Sequence, residues 1–221
     1  MKEKVSAILS ELCTRYPALT EQKENIAQAF LLLADTYRAG GKLLVCGNGG
    51  SCADAEHIVG ELMKCFRLRR PIPEDIYNGL SGFGAEGKAL QEHLEGALPA
   101  VSLCGHPALT TAYLNDTEPV MTFAQQLLGC GRRGDVLLAI STSGNSKNCV
   151  YAAVTAKAMG IHVLALTGER DSKLSALADL TLRAPDTETF RIQEYHLPVY
   201  HALCAMLEEE FFGTGTEGKA E

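Results

Sequence analysis

The sequence lacks a positive balance. Twenty lysines and arginines stand against 27 aspartates and glutamates, a net charge of −7 at pH 7. That excludes a broad electrostatic footprint for nucleic acid or anionic lipid, so an anionic ligand must be gripped by local donors. A Cys-x-x-Cys pair is also missing. The eight cysteines (Cys13, Cys46, Cys52, Cys65, Cys104, Cys130, Cys149 and Cys204) are scattered, several within apolar runs such as Leu43 to Cys46. This usage suits buried thiols in a reducing cytosol rather than a disulfide framework or a zinc knuckle. No stretch approaches the roughly 18 apolar residues of a membrane span. Met1-Lys2-Glu3-Lys4 leads into a helical pattern rather than an apolar signal region, so no leader or membrane segment is expected, and the expected location is cytoplasmic.

What is present fits one compact domain: 221 residues, 46% hydrophobic and 21% charged. Val5, Ile8, Leu9 and Leu12, then Ile26, Phe30, Leu33 and Tyr37, recur at spacings of three and four, which predicts two amphipathic helices within residues 2–39, breaking near Pro17. Short apolar runs at 42–46, 98–104, 135–140, 161–166 and 180–182 read as five strands. Helical patterns at 51–65, 107–129, 146–159, 171–178 and 187–211 lie between or after them. Alternation of this kind predicts an α/β fold, a mainly parallel sheet covered by helices on both faces. Residues 67–97 break the rhythm with prolines, glycines and a possible short helix at 85–95, and are too long for a routine connection. They are either a functional lid or an exposed excursion. The polar, glycine-rich tail at 213–221 is expected to fray.

Two turns carry the first functional signal. Gly47-Asn48-Gly49-Gly50-Ser51 follows the first predicted strand, and Ser141-Thr142-Ser143-Gly144-Asn145-Ser146 follows the third. At the carboxyl end of a parallel strand, exposed amides meet the positive end of the next helix, and small or hydroxyl residues let a phosphate approach closely. Ser51 is both a candidate phosphate donor and a candidate helix cap. Neither turn ends in Gly-Lys-Ser/Thr or fits Gly-x-Gly-x-x-Gly, which weakens nucleoside triphosphate and dinucleotide readings. Taken singly, each turn is equally readable as an ordinary strand-to-helix connection.

A second signal lies on the flanking helices. His57 and Glu61 are four residues apart, on one helix face beyond the first turn; Gln193 and His201 are two turns apart on the closing helix. By themselves these could be a surface pair and a core histidine. Arg67, Arg69 and Arg70 read as a solvated charged stretch, and His93, His106, His162 and His196 as structural or surface residues.

The strand–Gly-Asn-Gly-Gly-Ser51 element followed by the strand–Ser-Thr-Ser-Gly-Asn-Ser146 element resembles the sugar isomerase (SIS) domain, and within it the phosphoheptose isomerases, which convert sedoheptulose 7-phosphate into glycero-manno-heptose 7-phosphate. The similarity runs from about residue 5 to 211 outside the 67–97 stretch. It implies a three-layer α/β/α sandwich with a five-stranded parallel sheet of flavodoxin-like topology, N-terminal helices, and one SIS domain over 1–212. It implies Asn48, Gly49, Gly50, Ser51, Ser141, Thr142, Ser143 and Ser146 as phosphate or substrate contacts, and Asn115 and Asp116 as contacts to sugar hydroxyls. His57, Glu61, Gln193 and His201 match a zinc-binding set of many members, with Glu61 and His201 as the acid/base pair and Gln193, or a metal held there, polarising the substrate carbonyl. Imidazole, carboxylate and amide donors suit zinc. A homotetramer with active sites between subunits is also implied, with a phosphosugar as ligand and no nucleic acid or membrane partner. Residues 72–97 exceed the few residues that usually follow the Arg-Pro pair, here Arg70-Pro71, a departure from the family pattern that bears on substrate access or on packing between chains. The competing classes are a non-catalytic SIS protein that binds a phosphosugar or a protein, as relatives associated with replication initiation do after losing the histidine and glutamate, and an isomerase of another sugar phosphate.

Overall fold

The computed structural model describes residues 1–213; the tail beyond Gly213 lies outside them. Five parallel strands, β1 (Leu43–Gly47), β2 (Ala100–Ser102), β3 (Val136–Ile140), β4 (His162–Thr167) and β5 (Leu180–Arg183), form one sheet in the order β2-β1-β3-β4-β5. This is the flavodoxin-like order. The chain steps outward from β1 to β2 and then returns past β1 to β3, so the connections diverge between β1 and β3. In register, Gly47 sits opposite Ile140, which places the two turns side by side at that divergence.

Alternation along the strands builds two cores. Leu43, Val45, Val136, Leu138, Ile140, Leu164 and Leu166 face a core shared with α1 (Glu3–Arg15), α2 (Lys23–Arg38), α3 (Gly50–Met63) and α10 (Thr189–Phe212). Leu44, Cys46, Leu137, Ala139, Val163 and Ala165 face the other, against α7 (Thr122–Cys130), α8 (Lys147–Met159) and α9 (Lys173–Leu177). Strands buried on both faces read as continuous apolar runs, which is why β1, β3 and β4 are legible; β2 and β5, at the sheet edges, are only partly buried. Pro17 opens a 3-10 turn over Pro17–Gln22 that separates α1 from α2, the break expected there.

Three expectations are corrected. The helix expected over 107–129 is two helices, α6 (Pro107–Asp116) and α7, interrupted at Thr117 and Glu118 before a 3-10 turn at Pro119–Met121. Proline pushes its predecessor out of the helical region, and Glu118 adopts extended backbone (φ −111, ψ 110). The 67–97 stretch holds α4 (Glu74–Leu80), which no periodicity announced, besides α5 (Gly84–His93), close to the short helix foreseen. Arg70 is not solvated. It is 1% exposed, its Nε donates to Glu208 Oε1 at 2.7 Å, and its terminal nitrogens donate to the carbonyls of Leu62 and Glu61. Glu208 in turn accepts from the amides of Phe66, Arg67 and Leu68. A buried pair of this kind persists because both Glu208 oxygens accept and all three Arg70 guanidinium nitrogens donate. Arg67 and Arg69 are exposed as expected. The excursion closes on a neck, where the Gly96 amide bonds the Arg70 carbonyl and the Leu98 amide bonds the Leu62 carbonyl.

Candidate active site

The first turn reverses direction through Gly49 (φ 57, ψ −119), a conformation that a side chain would strain. Gly49, not Ser51, occupies the cap position. Ser51 lies inside the first turn of α3, 3% exposed, so its expected capping role is corrected: its amide bonds the Asn48 carbonyl at 3.0 Å. The amides of Cys52 and Ala53 bond the Gly49 carbonyl, and none of these bonds uses the Gly49 or Gly50 amides. A Cβ on Gly50 would collide with the Gln193 side-chain amide. The glycine therefore admits α10 to the turn.

The second turn is a hydroxyl network. Ser141 Oγ donates to Ser146 Oγ at 3.0 Å, and the Gly144 amide bonds the Ser141 carbonyl at 2.9 Å. Ser143 Oγ accepts from the Asn145 amide at 3.2 Å, and Asn145 Oδ1 accepts from the Lys173 amide at 3.1 Å. Behind it the Gly168 amide bonds the Thr142 carbonyl at 2.9 Å. Gly144 has φ 63, and a Cβ there would collide with Ser172. The two turns are also linked directly. Asn48 and Asn148 exchange reciprocal amide hydrogen bonds of 2.9 and 2.7 Å. Asn148 was missed because its partner is 100 residues away.

Beyond the first turn, α3 and α10 face each other. His57 Nε2 lies 3.2 Å from Glu61 Oε1 and 3.5 Å from His201 Nε2, with the imidazole rings 4.9 Å apart and edge-on. Glu61 Oε2 accepts from Lys64 Nζ at 3.3 Å. The Glu61 side chain is 14% exposed and that of His57 41%, so the group opens to solvent. His57 Nδ1 lies 3.0 Å from the Tyr200 hydroxyl, which donates to Asp54 Oδ1 at 3.2 Å. Sequence reading named neither Tyr200 nor Asp54; their adjacency to His201 and His57 on facing helices was the signal available. Burial and the neighbouring His57 push the His201 pKa below the ordinary histidine value, against the opposing pull of Glu61. Burial raises that of Asp54, opposed by the Tyr200 hydrogen bond.

The structure thus brings His57, Glu61 and His201 together, sets Gln193 against the first turn, and aligns both turns on one edge. Asn115 and Asp116 stand apart, exposed on the last turn of α6, where Asn115 Nδ2 donates to Asp116 Oδ1 at 2.7 Å. His196 is buried, its Nε2 3.2 Å from the Thr167 carbonyl, and burial holds its pKa down to about 4.

The donor chemistry suits a zinc ion. Bonds of about 2.0–2.1 Å in a tetrahedron put neighbouring donors about 3.3 Å apart, close to the 3.2 and 3.5 Å separations around His57 Nε2. Among the described residues no three His, Cys, Asp or Glu side chains are already gathered about one point as a metal site, so the fit rests on those two separations and on the donor types. No helix of the described residues is long and apolar enough to cross a membrane.

A family model described as the SIS domain matches residues 9–96 and 92–168. A phosphoheptose isomerase of Akkermansia muciniphila is 33% identical over 213 residues, covering 96% of this chain and 100% of that protein. Among solved structures, a phosphoheptose isomerase from Neisseria gonorrhoeae superposes with a TM-score of 0.71 at 33% identity, over 94% of this chain and 98% of that one. One from Francisella tularensis gives 0.70 at 28% identity, over 95% and 100%.

Proposed function

Because the chain belongs to the SIS-domain family and, within it, to the phosphoheptose isomerases, we propose that it converts sedoheptulose 7-phosphate into D-glycero-D-manno-heptose 7-phosphate, with Glu61 and His201 as its acid and base. The observation that carries this reading is the meeting of Glu61, His57 and His201 beside the paired turns at the β1/β3 divergence.

The phosphate sits against the amides of Gly49 and Gly50 and the hydroxyls of Ser51, Ser141, Thr142, Ser143 and Ser146, at the amino ends of α3 and α8. The sugar then extends toward Glu61 with Asn48 along its hydroxyls. Glu61 removes the proton from the carbon bearing the terminal hydroxyl, while His201 delivers one to the ketone oxygen, giving the enediol. Glu61 then returns a proton to the former ketone carbon and His201 takes the hydroxyl proton of the terminal carbon, which becomes the aldehyde. A pKa of His201 below the ordinary histidine value favours the neutral imidazole, which can both give and accept a proton. The Gln193 amide stabilises charge on the carbonyl oxygen. His57, Glu61, Gln193 and His201 would hold a zinc ion, which when bound supplies Lewis-acid polarisation of that oxygen. Metal analysis of the purified protein, against His57→Ala, tests this part; no zinc in either would remove it.

The groove of about 460 Å³ between α1 and α10, with His201 on its wall alongside Ile8, Leu12 and Phe66, supports a homotetramer whose subunits complete one another's sites. A monomer in sedimentation would discard this. The eight free cysteines support a cytoplasmic location, which fractionation of the source cells checks. The central experiment is proton NMR of sedoheptulose 7-phosphate with the protein in deuterated water. Aldose signals with deuterium at the reacting carbon are expected; no turnover and no exchange would end the proposal.

A further inference from the structure

Two of the centre's three converging side chains lean on a residue that is itself buried and has no place in the acid–base pair. Tyr200 is 1% exposed, and its ring meets His57 and His201 edge-on, with centroids 5.6 and 4.9 Å away. Its hydroxyl is shared between two neighbours from α3, one turn apart: His57 Nδ1 at 3.0 Å and Asp54 Oδ1 at 3.2 Å. A phenol has a single proton to give. Asp54 receives it, so the hydroxyl oxygen can serve His57 only as an acceptor, and Nδ1 must carry the hydrogen. The neutral ring then leaves Nε2 as a bare lone pair, the nitrogen that faces Glu61 and His201.

We propose that Tyr200, braced by Asp54, is a positioning residue that fixes His57 in its Nδ1–H tautomer and so keeps the Nε2 lone pair directed into the centre. The alternative tautomer has an acceptor ready. With the hydrogen on Nε2, the ring would donate to Glu61 Oε1, 3.2 Å away, and that bond would occupy the carboxylate and close the nitrogen to any other ligand. The Asp54–Tyr200 relay decides between the two, in the way an outer hydrogen bond orients a ligating histidine. Its functional consequence rests on the reading of His57 as part of the isomerase centre; the tautomer itself does not.

The test uses the full-length chain, ¹⁵N-labelled and treated with chelator, at about pH 8, where histidine rings are neutral. Ring ¹H–¹⁵N correlations should show His57 protonated on Nδ1. Tyr200→Phe, which fills the same volume, should move the larger share of His57 to Nε2–H. Asp54→Ala should do the same, because the freed phenol can then donate to Nδ1, whereas Asp54→Asn keeps an acceptor oxygen and the wild-type tautomer. Nε2–H in the wild-type protein, or an unchanged tautomer in Tyr200→Phe, overturns the proposal whether or not the chain turns over a sugar phosphate. In turnover, Tyr200→Phe should lower kcat by about 10–100-fold and leave KM within about twofold, since the phosphate turns are untouched. Equal kcat, or a loss confined to KM, counts against it.

Discussion

The two turns occupy equivalent places after β1 and β3 but are held in opposite ways. The second is stiffened by its own side-chain network, in which Ser141 bonds Ser146 and Asn145 bonds Ser143, and by the loop behind it, from which Lys173 bonds Asn145 and Gly168 bonds Thr142. The first has no such network. It is positioned from outside, by the Asn148 amide on one side and by Gln193 of α10 pressed against Gly50 on the other. A self-satisfied turn suits an anchor that must not move. A turn leaning on α10 suits the end of the site where α3 and α10 carry chemistry, because whatever orients α10 also orients the turn.

If the division of labour is right, damage beyond the first turn should appear in kcat and damage at the second in KM. Glu61→Gln keeps shape and removes the base, so kcat should fall by about 10²–10⁴-fold with little change in KM; a fully active variant would break the comparison at its strongest point. Gly144→Ala should destabilise more than Gly49→Ala. Both add a Cβ at positive φ, costing about 1–3 kcal/mol, but at Gly144 the methyl meets Ser172 and adds about 1–3 kcal/mol of overpacking, whereas at Gly49 nothing lies within 4 Å. Urea midpoints of the two variants decide it, and equal losses would deny the difference in rigidity. Ser143→Ala removes a hydrogen bond to a charged group, a term of about 1.5–3 kcal/mol, so KM should rise about 10–100-fold with kcat nearly unchanged; a kcat effect would place the second turn in the chemistry.

The smallest effect concerns the support behind the second turn. His196 bonds the carbonyl of Thr167, next to Gly168. Its folded pKa of about 4 lies below the unfolded value of 6.5, so the unfolded chain binds the proton more tightly and stability falls as pH drops from about 6.5 toward 4. Between pH 7 and 5 the loss from this group should be about 2 kcal/mol, read as a lower urea midpoint. His196→Gln should flatten that slope; an unchanged slope would assign acid sensitivity elsewhere.

The central strands β1, β3 and β4 are readable because burial on both faces leaves uninterrupted apolar runs, and Pro17 announces its own break. Pro119 is equally visible, yet apolar residues continue on either side of it at helical spacing and mask the break. Arg70 could not be placed, since its burial depends on Glu208, 138 residues onward, and a local window sees only three arginines near a proline. At the site, spacing within one helix was legible: His57 with Glu61, Gln193 with His201. What crosses between helices was not. The contact of Gly50 with Gln193, the Asn48–Asn148 exchange and the bridge from Asp54 through Tyr200 to His57 all depend on how α3, α8 and α10 settle on the sheet.

Helix α10 carries, in order, Gln193 against the first turn, His196 behind the second, Tyr200 and His201 at the centre, and Glu208 at the neck of the excursion. Fifteen steps of about 1.5 Å from Gln193 to Glu208 make a ruler about 22 Å long, and each mark on it is read by a different part of the molecule. One residue gained or lost near its start would turn every later mark by about 100°, misaligning the rest of that series together. The neck, by contrast, joins its two ends by hydrogen bonds that take no account of how many residues lie between them. Change of length in this chain is thus cheap at one address and ruinous at the other.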